Sequence, residues 1–146
     1  MTITSAGFSE GTKIPQKYTC DGENVNPPLT FSEVPKEAQS LCLIVDDPDA
    51  PGGTFTHWVV FNIHPAALQV LENSVPENSV QGSTDFGKVG YGGPCPPSGT
   101  HRYFFKLYAL DSTLDIPEGS LRSKVENAIE DKIIDMAQLI GLYSRS

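Results

Sequence analysis

The sequence predicts a mostly β domain, β-rich α+β, closed by one amphipathic helix near its C-terminus. Three observations carry this. The run from His101 to Leu110 alternates with a two-residue period, so His101, Tyr103, Phe105, Leu107 and Ala109 share one face and Arg102, Phe104, Lys106, Tyr108 and Leu110 the other. The 13 glycines and 12 prolines are scattered between short apolar runs, as in a domain with many ordered turns, and fall short of the density that marks disorder. Beyond Pro117, residues Leu121, Val125, Ala128, Ile129, Ile133 and Ala137 recur at three- and four-residue spacing, the period of a helix with one buried stripe.

Each element follows from local pattern. Short strands are expected near Thr2–Ser5, Leu29–Phe31, Ser40–Val45, Thr56–Ile63 and Arg102–Asp111. The third is the apolar run Leu41-Cys42-Leu43-Ile44-Val45, which stops in Asp46-Asp47-Pro48-Asp49-Ala50-Pro51, where two prolines forbid continuation. The fourth looks buried on both sides, with His57, Val59, Phe61 and Ile63 on one face and Trp58 opposite. Segment 65–100 holds a short turn or helix at Ala66–Leu71 and then a long excursion, and loops of that length in a compact domain tend to be functional. Ser120 suits the N-cap of the last helix, Lys124, Glu126, Glu130 and Lys132 its solvated face, and Gly141 its stop. The helix would cover one side of the sheet.

A chain of 146 residues fits one domain, 1–146, able to bury roughly 70% of the surface its unfolded form exposes. Ten Lys and Arg against 18 Asp and Glu give a formal charge of −8, which argues against nucleic acid or an anionic membrane surface as partner. An anionic ligand would need a local site. No apolar run approaches the roughly 18 residues of a membrane span, and the first residues lack the pattern of an export signal, so a soluble cytoplasmic protein is expected. The three cysteines are expected as thiols by default, with Cys42 a small core residue; a bridge between Cys20 and Cys95 would fit an oxidising or hyperthermophilic setting.

The most informative stretch is Gly90-Tyr91-Gly92-Gly93-Pro94-Cys95-Pro96-Pro97-Ser98-Gly99-Thr100-His101-Arg102-Tyr103, a stiff Gly/Pro loop that runs into a strand opening with an imidazole and a phenol on one face. A second imidazole, His57, opens another strand, and a third strand ends on Asp46-Asp47. If these ends are neighbours, Asp47, His57, His101 and Tyr103 can converge on one small pocket.

Together with Asp47-Pro48-Asp49-Ala50-Pro51, His57-Trp58 and Gly92–Tyr103, the segments Cys20–Leu29 and Gly141–Arg145 resemble the signature elements of the phosphatidylethanolamine-binding protein family, specifically its short bacterial and archaeal branch. Five motifs occur in the family's order over nearly the whole chain. The resemblance implies a β-sandwich core with a few flanking helices, a dimeric habit, and a pocket for a small phosphoryl-type anion or phospholipid head group built by Asp47, His57, Pro97, His101 and Tyr103. It also implies the Raf-kinase-inhibitor-like role of some relatives, which regulate a protease or a kinase. The segment between Pro51 and His57 is much shorter than in eukaryotic members, so their kinase and lipid-tail contacts do not transfer. Two imidazoles and a phenol suit a small oxyanion, and Asp47 would orient an imidazole by accepting one ring N–H. Affinity should then rise as pH falls toward about 6.5.

Competing readings remain. Cys95 with His101 or His57 as base and Asp47 as orienting acid would make a thiol hydrolase, although Cys95 sits between prolines and not at a helix N-terminus that would lower its pKa. His57, His101 and an Asp could ligate zinc, but no tight ligand spacing supports it. The favoured reading has no catalytic residue, metal or cofactor. Among neighbours, Asp49 is expected to cap a turn, Arg102 to form a structural ion pair, Trp58 to lie in the core and His64 at the surface.

Overall fold

The computed structural model describes residues 1–145. Two antiparallel sheets form the core. Strands β1 (Thr2–Thr4), β2 (Leu29–Ser32) and β5 (Gln69–Val70) make a three-stranded sheet in the order β1-β2-β5. Strands β3 (Ser40–Asp47), β4 (Phe55–Ile63), β6 (Val80–Gln81), β7 (His101–Leu110) and β8 (Ile133–Tyr143) make a five-stranded sheet in the order β6-β4-β3-β7-β8. Helix α1 spans Arg122–Ile129.

The larger sheet is covered on both faces, which is why β3 reads as continuously apolar until its final acids. Leu41, Leu43, Val45, Trp58, Val60, Phe105 and Leu107 pack toward the small sheet, against Ile3, Leu29 and Phe31. Cys42, Ile44, Val59, Phe61 and Leu110 face the other way and are closed over by Leu114, Val125 and Ile129. A helix does therefore cover one side of the sheet, but a single short one, where the resemblance implied a few.

That helix ends earlier than its periodicity suggested. The chain turns after Ile129, with the Lys132 N–H donating to the Ile129 carbonyl at 2.8 Å, and Ile133–Tyr143 pair with β7 from His101↔Tyr143 to Leu110↔Ile133. Without β8 the long edge of β7 would present unpaired backbone groups along a largely buried strand, and satisfying them outweighs helix propensity over 133–140. Ile133 is exposed and Ala137 sits on a strand, so neither belongs to a helical stripe. Gly141 is no helix stop: it lies within β8 beneath Ile14 and Phe8, where a side chain would collide with both. Ser120 does not cap α1 either; its hydroxyl donates to the Pro117 carbonyl at 2.6 Å, and the N-cap is Leu121. Between Ala66 and Leu71 the chain forms a turn followed by β5.

Strand β4 carries two irregularities. Val45 pairs with Trp58 but Asp46 with Thr56, and Leu41 pairs with Ile63 but Leu43 with Val60, so β4 holds one extra residue at each place. The second extra residue falls by Asn62, which takes φ 56° and is pinned by its side chain: Nδ2 donates to the Leu114 carbonyl at 2.9 Å and Oδ1 accepts the Leu114 N–H at 2.7 Å. The first falls at His57.

Candidate functional site

The bulge at His57 decides what the site contains. Regular alternation puts His57 on the face of Val59, the face that α1 covers, and Trp58 opposite. Because β4 has two residues there against one on β3, His57 and Trp58 instead face the same side: Trp58 is buried in the core between the sheets and the His57 ring packs edge-on against Tyr103 of β7, centroids 5.3 Å apart. The expected grouping of His57 with Val59 and Phe61 is therefore incorrect, whereas Ile63, shifted by the second extra residue, does lie on the core side with Trp58.

With that turn, Asp47, His57, Pro97, His101 and Tyr103 all line one cavity of about 190 Å³. Asp47 is the last residue of β3, released from the sheet by Pro48, and His101 is the first of β7. Asp47, His57, His101 and Tyr103 are all at most 7% exposed. Pro96 and Pro97 form one wall, and Cys95 lines it too. Phe55 and Phe86 complete the ring, both in contact with the His57 imidazole at 5.0 and 5.3 Å between centroids. Phe86 lay in the long excursion and carried no periodic signal. Phe55, two residues before His57 on the same strand, shares its period-two face in the sequence.

The Nδ1–H of His101 donates to Asp47 Oδ2 at 2.6 Å, and the Nδ1–H of His57 donates to the Gly92 carbonyl at 2.8 Å. A carbonyl only accepts, so the neutral His57 ring is held as its Nδ1–H tautomer. Nε2 of each ring is the nitrogen left for the cavity. Asp47 Oδ1 accepts the Asp49 N–H at 2.8 Å, which closes the turn after β3. Gly92 sits so close to Phe86 that any side chain would strike the ring, and the Gly92 N–H donates back to the His57 carbonyl at 3.0 Å. The Tyr103 hydroxyl is buried and has no hydrogen-bond partner among the described residues.

These environments shift protonation. Burial holds the His57 pKa below the usual imidazole range, against the opposing pull of the Gly92 carbonyl and the Asp47 charge. Burial, with Asp47 nearby, pushes the Tyr103 phenol up, so it stays an O–H donor at any ordinary pH. The cavity thus offers one neutral hydroxyl donor and two ring nitrogens that donate only when protonated.

The neighbouring residues separate cleanly. Arg102 does form an ion pair, donating through Nε and Nη2 to Asp49 at 2.9 Å each, with its backbone N–H on the same carboxylate at 3.0 Å. Asp49 is therefore held by Arg102, which draws its pKa down to about 2, and the carboxylate that caps the turn is that of Asp47. Asp46 points to the opposite face, where its Oδ2 meets Lys106 Nζ at 3.0 Å and Arg122 Nη1 at 2.7 Å. Trp58 is core, donating through Nε1 to Gln81 Oε1 at 2.7 Å, and His64 is exposed. Cys42 is a buried thiol whose pKa burial pushes up to about 12. Cys20 and Cys95 are joined in a disulfide, which corrects the default of reduced thiols and leaves Cys95 no thiolate for a hydrolase. Among the described residues no group of three or more His, Cys, Asp or Glu side chains could hold a metal ion, and no helix is long and apolar enough to cross a membrane.

A two-sheet antiparallel fold with a small pocket at the ends of β3, β4 and β7 places the chain in the β-sandwich class. Residues 4–144 match the family model for phosphatidylethanolamine-binding protein, and the chain belongs to that family. It is 51% identical over 150 residues to a UPF0098 protein of Methanothermobacter thermautotrophicus, covering 99% of both chains. A UPF0098 protein of Aquifex aeolicus is 49% identical over 152 residues, covering 99% of this chain and 89% of its own length. Among solved structures, a phosphatidylethanolamine-binding protein homologue of Chlamydia trachomatis, CT736, superposes with a TM-score of 0.95 at 43% identity, covering 99% of this chain and 97% of its own. YbcL of E. coli, described as a member of the mammalian family, superposes with a TM-score of 0.93 at 31% identity, covering 99% and 98%.

Proposed function

We propose that this protein is a non-enzymatic binding protein that takes a small phosphoryl-type anion, free or as a head group, into the cavity between His57, His101 and Tyr103. The observation that carries this is the buried Tyr103 hydroxyl without a partner, beside two imidazoles whose Nδ1 atoms are already engaged. A buried donor left unsatisfied costs roughly 1–3 kcal/mol, and an oxyanion accepting from it recovers that cost. Protonated Nε2–H groups add charge-assisted bonds, and Asp47 balances the charge on His101. At about 190 Å³ the cavity is smaller than a drug-sized pocket and suits a single compact group, with Phe55, Phe86 and the prolines enclosing it.

Calorimetric titration with O-phosphoethanolamine tests the proposal. Wild type should bind, and Tyr103→Phe and His101→Ala should each weaken binding by about 10-fold or more. Unchanged affinity in both variants would refute it. Membership in the family also motivates a regulatory role in which a phosphorylated or acidic side chain of a protease or kinase enters the same slot. A partner captured equally well by wild type and His101→Ala does not use it.

A further inference from the structure

We infer that the anion pocket is gated by the redox state of the Cys20–Cys95 disulfide: oxidised, the proline wall is held and the pocket is formed; reduced, the wall is released and affinity falls. This rests on the anion-binding reading above and adds its regulation.

The placement of the bridge supports it. Cys95 itself lines the cavity, directly before the Pro96 and Pro97 wall. Upstream of it the loop is fastened repeatedly. The Tyr91 hydroxyl donates to the Tyr18 carbonyl at 2.7 Å, the Gly93 N–H to Asn24 Oδ1 at 2.8 Å, and the Cys20 N–H to the Pro94 carbonyl at 3.1 Å. Downstream, from Cys95 to Thr100, no hydrogen bond ties the chain to the rest of the described residues. Two consecutive prolines supply no N–H, and Pro97 through Thr100 are exposed. The disulfide is the last fastening before the wall, and His101 begins where the unfastened stretch ends.

The other half of the bridge is anchored in the body of the protein. Asp21, next to Cys20, accepts from the Tyr143 hydroxyl at 2.7 Å and from the Arg145 guanidinium at 3.0 Å. Cys20 therefore stays in place when the bond opens, and Cys95 is the end that moves. Cys95 is also exposed, so a thiolate can reach its sulfur. The reductant is a dithiol: its thiolate attacks one sulfur to give a mixed disulfide, and its second thiol displaces the protein thiol. Two electrons and two protons end on Cys20 and Cys95, and the reagent leaves as its own disulfide. His57 keeps its Gly92 carbonyl, because the bonds at Gly92 and Gly93 lie upstream. The effect is confined to the wall and the start of β7. If the reduced wall occupies its closed position about one-tenth of the time, apparent affinity falls about 10-fold.

The test is titration of the whole protein with O-phosphoethanolamine, oxidised and after reduction with dithiothreitol, with thiols counted in denaturant. The count should rise from one, Cys42, to three. Oxidised protein should bind about 10-fold more tightly than reduced, and Cys20→Ser/Cys95→Ser should match the reduced protein and ignore the reagent. Backbone order parameters at Ser98–Thr100, measured by NMR relaxation, should fall on reduction while the amides of β3 and of β7 beyond its first residues stay protected from exchange, a readout that needs no variant. Equal affinity with three thiols exposed would overturn the gate and leave the pocket reading standing. No binding in the oxidised protein would overturn both. Loss of near-ultraviolet circular dichroism on reduction would make the bridge a global staple and likewise overturn a local gate.

Discussion

Anion binding in this cavity should draw in a proton, and His57 is the group through which that can be measured. Its Nδ1–H is committed to the Gly92 carbonyl at 2.8 Å, so Nε2 donates to an anion only in the imidazolium form. Burial disfavours that form, so the free protein holds His57 neutral below the usual imidazole range. For stability the sign follows from a depressed folded pKa in a base. The unfolded chain takes up the proton first, at about pH 6.5, and stability falls as pH drops from there to the folded value, by up to about 1.4 kcal/mol per pH unit. An anion that favours the imidazolium removes that loss. Inorganic sulfate is a suitable probe because its charge is constant over this range. Its affinity should rise by up to about 10-fold per pH unit as pH falls between about 8 and 5 for each proton taken up. Replacing His57 with Gln, which cannot take the charge, should weaken sulfate binding near pH 5.5 by about 10- to 100-fold, the worth of one charge-assisted hydrogen bond, and make both the affinity and the acid loss of stability shallower. The assays are calorimetric titration in two buffers of different ionisation enthalpy and urea unfolding across the same pH range. A flat sulfate affinity, or an acid slope unchanged in His57→Gln, would refute the reasoning.

Other consequences concern the frame around the pocket. Asp46→Ala leaves Lys106 and Arg122 facing each other without their shared carboxylate, and should cost about 3 kcal/mol in urea unfolding, the low end for a broken buried pair because both cations reach solvent. Asn62→Ala keeps a left-handed backbone at φ 56° while removing both bonds to Leu114, and should cost about 2 kcal/mol by the same measurement. The disulfide closes a loop of 75 residues, so reduction should lower stability by about 4 kcal/mol on the chain-entropy model, read as a shifted guanidinium midpoint; a shift worth under 1 kcal/mol would count against that model here.

The strands were legible because they carry the strongest local signals: period-two alternation in β7, and an apolar run ended by Pro48 in β3. The C-terminal segment was not, because Leu121 through Ala137 keep a helical period by composition while a non-local demand, the open edge of β7, sets the backbone from Ile133 onward. A window of a dozen residues does not contain that demand. The Cys20–Cys95 pairing stood only as the alternative for a different reason, since pairing depends on where two turns meet in space, and the expectation of a reducing compartment favoured thiols. The site residues were named by motif and by strand ends, while Phe86 came from a loop with no period at all.

His57 shows what separates naming a site residue from knowing how it reaches the site. On β3, Val45 faces the core and Asp47 the cavity, while Asp46 between them faces Arg122 of α1 and Lys106 of β7, so β3 alternates as its sequence says. On β4, Trp58 is buried in the same core as Val45, its cross-strand partner. Strict alternation would then send His57 to the α1 side, beside Asp46, Lys106 and Arg122, where an imidazolium would meet two cations. The extra residue in β4 is what lets Trp58 fill the core and His57 still reach Tyr103. A deletion that restored regular pairing at this point would have to surrender one of the two, and the bulge is therefore as much a part of the site as the imidazole it aims.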